Sequence, residues 1–79
     1  MSGAEAQEIR HLLLSSHDQY RELSYLHHTL DDRLHQLTEK HYLTDSEQLE
    51  EVTLKKRKLA LKDRMERIAS EWAREHPHN

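Results

Sequence analysis

Histidine is the residue type in this sequence with the most obvious potential for chemistry, because neutral imidazole binds transition metals and titrates near neutral pH. The chain has eight of them in 79 residues: His11, His17, His27, His28, His35, His41, His76 and His78. A metal site on a helix commonly takes two ligands three or four residues apart, and no two of these histidines have that spacing. We therefore predict that they occupy helix surfaces. Metal binding is a secondary alternative, and we assign no metal ligand and no cofactor.

The pair formed by His27 and Asp31 could also do acid–base chemistry, since side chains four residues apart meet on a helix. A catalytic dyad would need a nucleophile beside it and a pocket that excludes water. The sequence places no convincing nucleophile near this pair, and a two-helix hairpin offers no deep pocket. We therefore predict no catalytic residues and a protein that is not an enzyme.

A block of basic residues interrupts an otherwise acidic chain. The net charge is −3, yet residues 54–68 hold seven bases and only two acids. Such blocks attract phosphate backbones, but on a helix these side chains surround the axis and form no single stripe. We expect some of them to pair with acids of the preceding helix, where Asp31 and Asp32 should lie near the block. Nucleic-acid binding through residues 55–67 is the alternative.

The apolar residues predict a first long helix over residues 16–40. They recur at steps of three or four, which makes one face of the helix apolar. They are Tyr20, Leu23, Leu26, Leu30, Leu34 and Leu37. Ser16 and Gln19 have the spacing of a capping box, which places the helix start at Ser16. Residues 1–15 form an N-terminal extension, in which Ile9, Leu12 and Leu13 at helical spacing predict a short helical segment.

A second long helix is predicted over residues 45–75, after a turn at residues 41–44. Thr44 and Glu47 have a second capping-box spacing at its start, and Pro77 would end it. Because the turn is short, the two helices should lie side by side in opposite directions. The sequence therefore predicts an all-α fold, a single domain formed by an antiparallel, coiled-coil-like hairpin.

The second helix has two apolar faces, and the first helix can cover only one of them. One face holds Leu54, Leu61, Met65, Ile68 and Trp72, and the other holds Leu49, Val52, Leu59 and Ala60. Small scaffolds without disulfides bury little apolar surface and often gain stability by oligomerising. We therefore expect a homo-oligomer, with a dimer favoured. The alternative is that the N-terminal segment folds back over one face.

Two sets of residues are assigned to assembly and contact. Packing is assigned to Tyr20, Leu23, Leu30, Leu37, Leu54, Leu59, Leu61, Met65, Ile68 and Trp72. Charge pairing or partner contact is assigned to His27, Asp31, Lys55, Lys56, Lys58, Lys62 and Asp63. In an antiparallel hairpin Leu37 should lie near Val52 or Leu54, and Tyr20 should approach Ile68 or Trp72.

The composition favours a soluble protein of the cytoplasm. The chain has no Cys, so nothing indicates an oxidising compartment. Its longest apolar run, residues 12–14, is far below the roughly 20 residues that a membrane span needs. The first residues lack the basic stretch and apolar core of a signal peptide. We expect no membrane partner.

Two stretches of the sequence together form a recognisable pattern. The first is Tyr20-x-x-Leu23-x-x-x-His27-x-x-Leu30-Asp31-x-x-Leu34, and the second contains Lys58-Leu59-Ala60-Leu61-Lys62-Asp63. This pattern resembles the YdcH-like family of small bacterial proteins, over about residues 17–68. The resemblance implies a long helical hairpin and supplies no established enzyme activity. We therefore predict a small, non-enzymatic module of unknown process that self-associates or binds another protein.

Overall fold

The computed structural model describes residues 3–76, except for the side chain of Ala4. Over that range the chain forms three helices and no strand. They are α1 (Gly3–Ser16), α2 (Asp18–Thr38) and α3 (Asp45–Glu75). The prediction of an all-α protein is thus confirmed for this part of the chain. Pro77, which was expected to end the last helix, and His78 lie outside the described residues.

The break between α1 and α2 falls at His17, one residue after the predicted helix start. The backbone of His17 is extended, at φ −118° and ψ 105°, and its Nδ1 accepts a hydrogen bond from the backbone N–H of Tyr20 at 3.0 Å. The prediction that Ser16 caps this helix is wrong. Its hydroxyl donates instead to the carbonyl of Leu12 at 2.6 Å, which keeps it in the last turn of α1.

The start of α3 confirms the second predicted capping box. The hydroxyl of Thr44 accepts from the backbone N–H of Glu47, and the carboxylate of Glu47 accepts from the backbone N–H of Thr44, both at 3.1 Å. Two N–H groups that the helix itself leaves unpaired are satisfied in this way. Glu47 also forms an ion pair with Lys40, which links the residues just after α2 to the first turn of α3.

The hairpin core near the turn is a cluster of leucines from both long helices. Its buried members are Leu34, Leu37 and Leu54, and Leu30 and Leu43 pack against them. Leu37 is completely buried, in one cluster with Leu54, as the antiparallel arrangement predicts. Each such side chain stabilises the hairpin by about 1.5–3 kcal/mol relative to its exposed state.

A second cluster lies at the open end of the hairpin, and α1 takes part in it. Its buried members are Ile9, Leu13 and Tyr20, against which Met65, Ile68, Ala69, Trp72 and Ala73 pack. The predicted approach of Tyr20 to the end of α3 is confirmed. The N-terminal segment therefore does fold back, but it covers only the C-terminal half of α3.

The remaining apolar face of α3 stays exposed in the single chain. Leu49 is 69% exposed, Val52 49% and Leu59 61%. Leu59 is consequently not part of the core within one chain, because it lines an open groove between α2 and α3 and remains exposed there. Only its predicted role in assembly stands. No helix within residues 3–76 has the length and apolar character needed to cross a bilayer.

Candidate interaction surfaces

Exposed side chains of α3, three of them apolar and two charged, form one continuous stripe, which we call the outer face of α3. It consists of Leu49, Val52, Lys56, Leu59 and Asp63, at alternating steps of three and four residues. That spacing keeps side chains on one side of a helix and matches the seam of a coiled coil. All five side chains are exposed, and the buried Leu54 lies on the opposite side of the helix. The outer face is thus an amphipathic seam without an apolar partner in the single chain.

Ion pairs connect the two long helices along the rest of the hairpin. Lys58 of α3 binds Asp31 of α2, and this hydrogen bond lowers the pKa of the Asp31 carboxyl. The predicted pairing of the basic block with Asp31 is therefore confirmed. Arg33 binds Glu50 through two hydrogen bonds of 2.9 Å, from Nε and Nη2, which lower the pKa of the Glu50 carboxyl.

The sequence reasoning missed the pair of Arg33 and Glu50. A signal was present, because residues 41–53 hold four acids and no Lys or Arg. An antiparallel hairpin places that acidic stretch beside Arg33 in the last turns of α2 and Lys40 just after the helix. Both bases are indeed paired with acids of the stretch. Charge complementarity across the turn therefore helps to fix the register.

The other residues assigned to charge pairing or partner contact divide into two groups. Lys55 pairs within its own helix with Glu51, at 3.4 Å. Within residues 3–76, Lys56, Lys62 and Asp63 form no ion pair and no hydrogen bond through their side chains. These three charges remain available for contacts with another molecule.

His27 lies beside the paired charges and forms no hydrogen bond with Asp31 through its side chain. Its ring contacts that of His28 edge to face, with 6.1 Å between centroids, while the Asp31 carboxylate is bound by Lys58. Partial burial lowers the pKa of His27, and the nearby charge of Lys58 lowers it further. His27 is therefore a neutral imidazole at neutral pH, next to a lysine that is already paired.

Two open grooves run along the hairpin. The first has a volume of about 510 Å³ and lies between α2 and α3, with Lys55, Lys58 and Lys62 along one wall. The second, of about 720 Å³, also takes in α1. In the described part of the chain, no three side chains of the His, Cys, Asp or Glu type come together as metal ligands would. Both grooves are open to solvent along the surface of the hairpin.

Comparison with models of known protein families gives a match. A family model with the description "Protein of unknown function (DUF465)" matches residues 17–69, which span the cap of α2, the turn and most of α3. No match is found among curated proteins or among solved structures. The DUF465 family is the YdcH-like family, so the resemblance carried by the two sequence stretches is confirmed. The chain therefore belongs to the DUF465, or YdcH-like, family of proteins of unknown function.

Proposed function

We propose that this protein is a non-enzymatic module that self-associates, as a dimer, through the outer face of α3. The observation that carries the proposal is the exposure of Leu49, Val52 and Leu59, at 69%, 49% and 61%. Single exposed apolar residues are common on protein surfaces, but three on one helical seam are typical of an interface. A second copy would remove this seam from water.

The charges on the outer face favour an antiparallel pair of α3 helices. In a parallel pair Lys56 would meet Lys56 of the partner subunit, and Asp63 would meet its own copy, which is unfavourable. In an antiparallel pair centred near Leu59, Lys56 lies beside Asp63 of the partner subunit. The same two charges thus oppose one arrangement and support the other, as charges do in coiled coils.

The length of α3 supplies the contact area that such a dimer needs. Stable interfaces usually bury about 1,200–2,000 Å² in total. A helix of 31 residues is long enough to lie along its copy over several turns. The same face could also bind an amphipathic helix of another protein. We propose that the module acts in the cytoplasm.

The alternative of nucleic-acid binding through residues 55–67 receives less support from the contacts. Two of the bases in this stretch, Lys55 and Lys58, are already paired with acids of the same chain. A metal-dependent role has no cluster of ligands within residues 3–76. Self-association is therefore the function that the exposed side chains favour.

The test is the mass of the protein in solution, measured by size-exclusion chromatography with light scattering. We expect twice the chain mass of 9.5 kDa for the wild type. Leu59→Glu should give a monomer with an unchanged helical circular dichroism spectrum, since Leu59 is exposed in the single chain. Tyr25→Glu is the matched control, because Tyr25 is 71% exposed on α2 and away from the seam. A wild-type monomer at high concentration would refute the proposal.

A further inference from the structure

The groove that includes α1 brings cationic and titratable side chains of all three helices together. We call it the three-helix groove. Its charged and titratable walls are formed by Arg10, His27, His28, Lys58, Lys62 and Glu66. Its volume of about 720 Å³ lies within the range of sites that bind small molecules. None of the apolar residues of the outer face lines this groove.

The positive charges in the three-helix groove are only partly neutralised. Lys58 forms an ion pair with Asp31, whose carboxylate lies beside the groove. Arg10 and Lys62 form no ion pair and no hydrogen bond through their side chains within residues 3–76. Glu66 is the opposing charge on the wall, and it too is without an ion-pair partner in that range. Two free cations thus face one free carboxylate.

We propose that the three-helix groove binds a small phosphate-bearing molecule, held by Arg10 and Lys62 with His27 as a hydrogen-bond donor. A guanidinium presents paired N–H groups that match phosphate oxygens, and an ammonium adds a point charge. A single carboxylate would neutralise the charge of only one of the two free cations. A phosphate dianion neutralises both and has oxygens left to accept from an imidazole N–H.

Proton uptake accompanies this binding. Without an anion, the pKa of His27 is lowered by burial, by Lys58 and by Lys62, while Asp31 raises it. A bound dianion would counter the lysines and stabilise the imidazolium. His28 and Glu66 also face this groove, and the carboxylate of Glu66 opposes a bound anion. Affinity should therefore rise as the pH falls and His27 takes up a proton.

The test is a titration of the wild-type protein with inorganic pyrophosphate, followed by nuclear magnetic resonance at low ionic strength. Saturable shifts should appear at the residues of the three-helix groove. Arg10→Gln and Lys62→Gln should each weaken binding about tenfold, the loss expected for one charge-assisted hydrogen bond. Both side chains lie at the surface, so neither change should disturb folding. Glu66→Gln should strengthen binding.

Arg57→Gln is the control for general loss of positive charge, because Arg57 is exposed and lines neither groove. It should leave the affinity for pyrophosphate within about twofold of the wild type. A parallel titration uses sulfate, whose own charge does not change between about pH 5.5 and about pH 8. Any change in its affinity between these two pH values therefore reports protonation of the protein. Tighter sulfate binding at the lower pH supports the proposal.

A second arm uses vesicles that contain phosphatidic acid, to separate a lipid headgroup from a free phosphate compound. Binding to vesicles that Arg10→Gln abolishes would assign the phosphate to a lipid, and binding of pyrophosphate alone would assign it to a soluble molecule. Absence of both kinds of binding overturns the proposal. So does an equal loss of affinity in Arg57→Gln and Arg10→Gln, since that would mean non-specific attraction.

Discussion

At the turn of the hairpin, Glu47 combines a helix cap with an ion pair. Its carboxylate accepts hydrogen bonds from Lys40 and from the backbone N–H of Thr44, and these lower its pKa from 4.5 to about 2. Because the pKa is lower in the folded state, the folded chain holds this proton less tightly than the unfolded chain does. The resulting stability is complete above pH 4.5 and is lost as the pH falls towards about 2.

Glu47→Gln should therefore reduce the acid sensitivity of the protein. The amide cannot form the ion pair with Lys40, so the variant should be less stable than the wild type at neutral pH. The difference should shrink as the pH falls from 4.5 to about 2. Thermal unfolding followed by circular dichroism across that range measures it, with Glu71→Gln, on the exposed surface of α3, as the control. A constant difference between Glu47→Gln and wild type would contradict the assigned role.

The two helix caps show which local features could be predicted from the sequence and which could not. The Thr44 cap was predictable, because Thr and Glu at this spacing satisfy N–H groups locally, whatever the rest of the chain does. The His17 cap was not predictable. Histidine is not among the residues favoured at the N-cap position, whereas serine is, and two serines directly precede His17. The cap falls on His17 because the backbone is extended at this residue, between α1 and α2.

Among the helices, α1 is the element whose place the sequence left most open. Its apolar spacing predicted a helix, but α1 could have extended away from the hairpin or folded back over it. The packing of Ile9 and Leu13 against α3 decides for the second arrangement. Arg10 enters the three-helix groove only because of that packing, so this groove could not be predicted from spacing within any one helix.

Leu13→Ala should detach α1 from the hairpin. Leu13 is completely buried, and a buried Leu→Ala change typically costs about 2–5 kcal/mol. Hydrogen exchange should show loss of protection in α1, while the turn-proximal halves of α2 and α3 keep theirs, because Leu37 and Leu54 belong to a separate cluster.

Leu12→Ala is the matched control for this change, since its neighbour Leu12 is 45% exposed. It should alter stability by no more than about 0.5 kcal/mol. If both variants lost the same protection in α1, the packing of Leu13 against α3 would not be what holds α1 in place.

For the whole molecule, the two long helices and their direction followed from apolar periodicity and a short turn. Both clusters of the core contain residues expected to pack there. The sequence did not determine which of the two apolar faces of α3 packs against α2. In the structure Leu54 is buried and Leu59 is exposed, so the face that contains Leu54 is the packed one. Self-association through the exposed face remains the proposal on which the function depends.

The most direct test of that proposal is the distance between two copies of one site. The chain has no Cys, so Gln48→Cys provides a unique position for a spin label on exposed α3. An antiparallel pair centred near Leu59 places the two labels about 35 Å apart, from the rise of 1.5 Å per residue. We predict a dipolar distance near that value. A short distance of about 15 Å, as for parallel helices, or no dipolar coupling between copies, would contradict it.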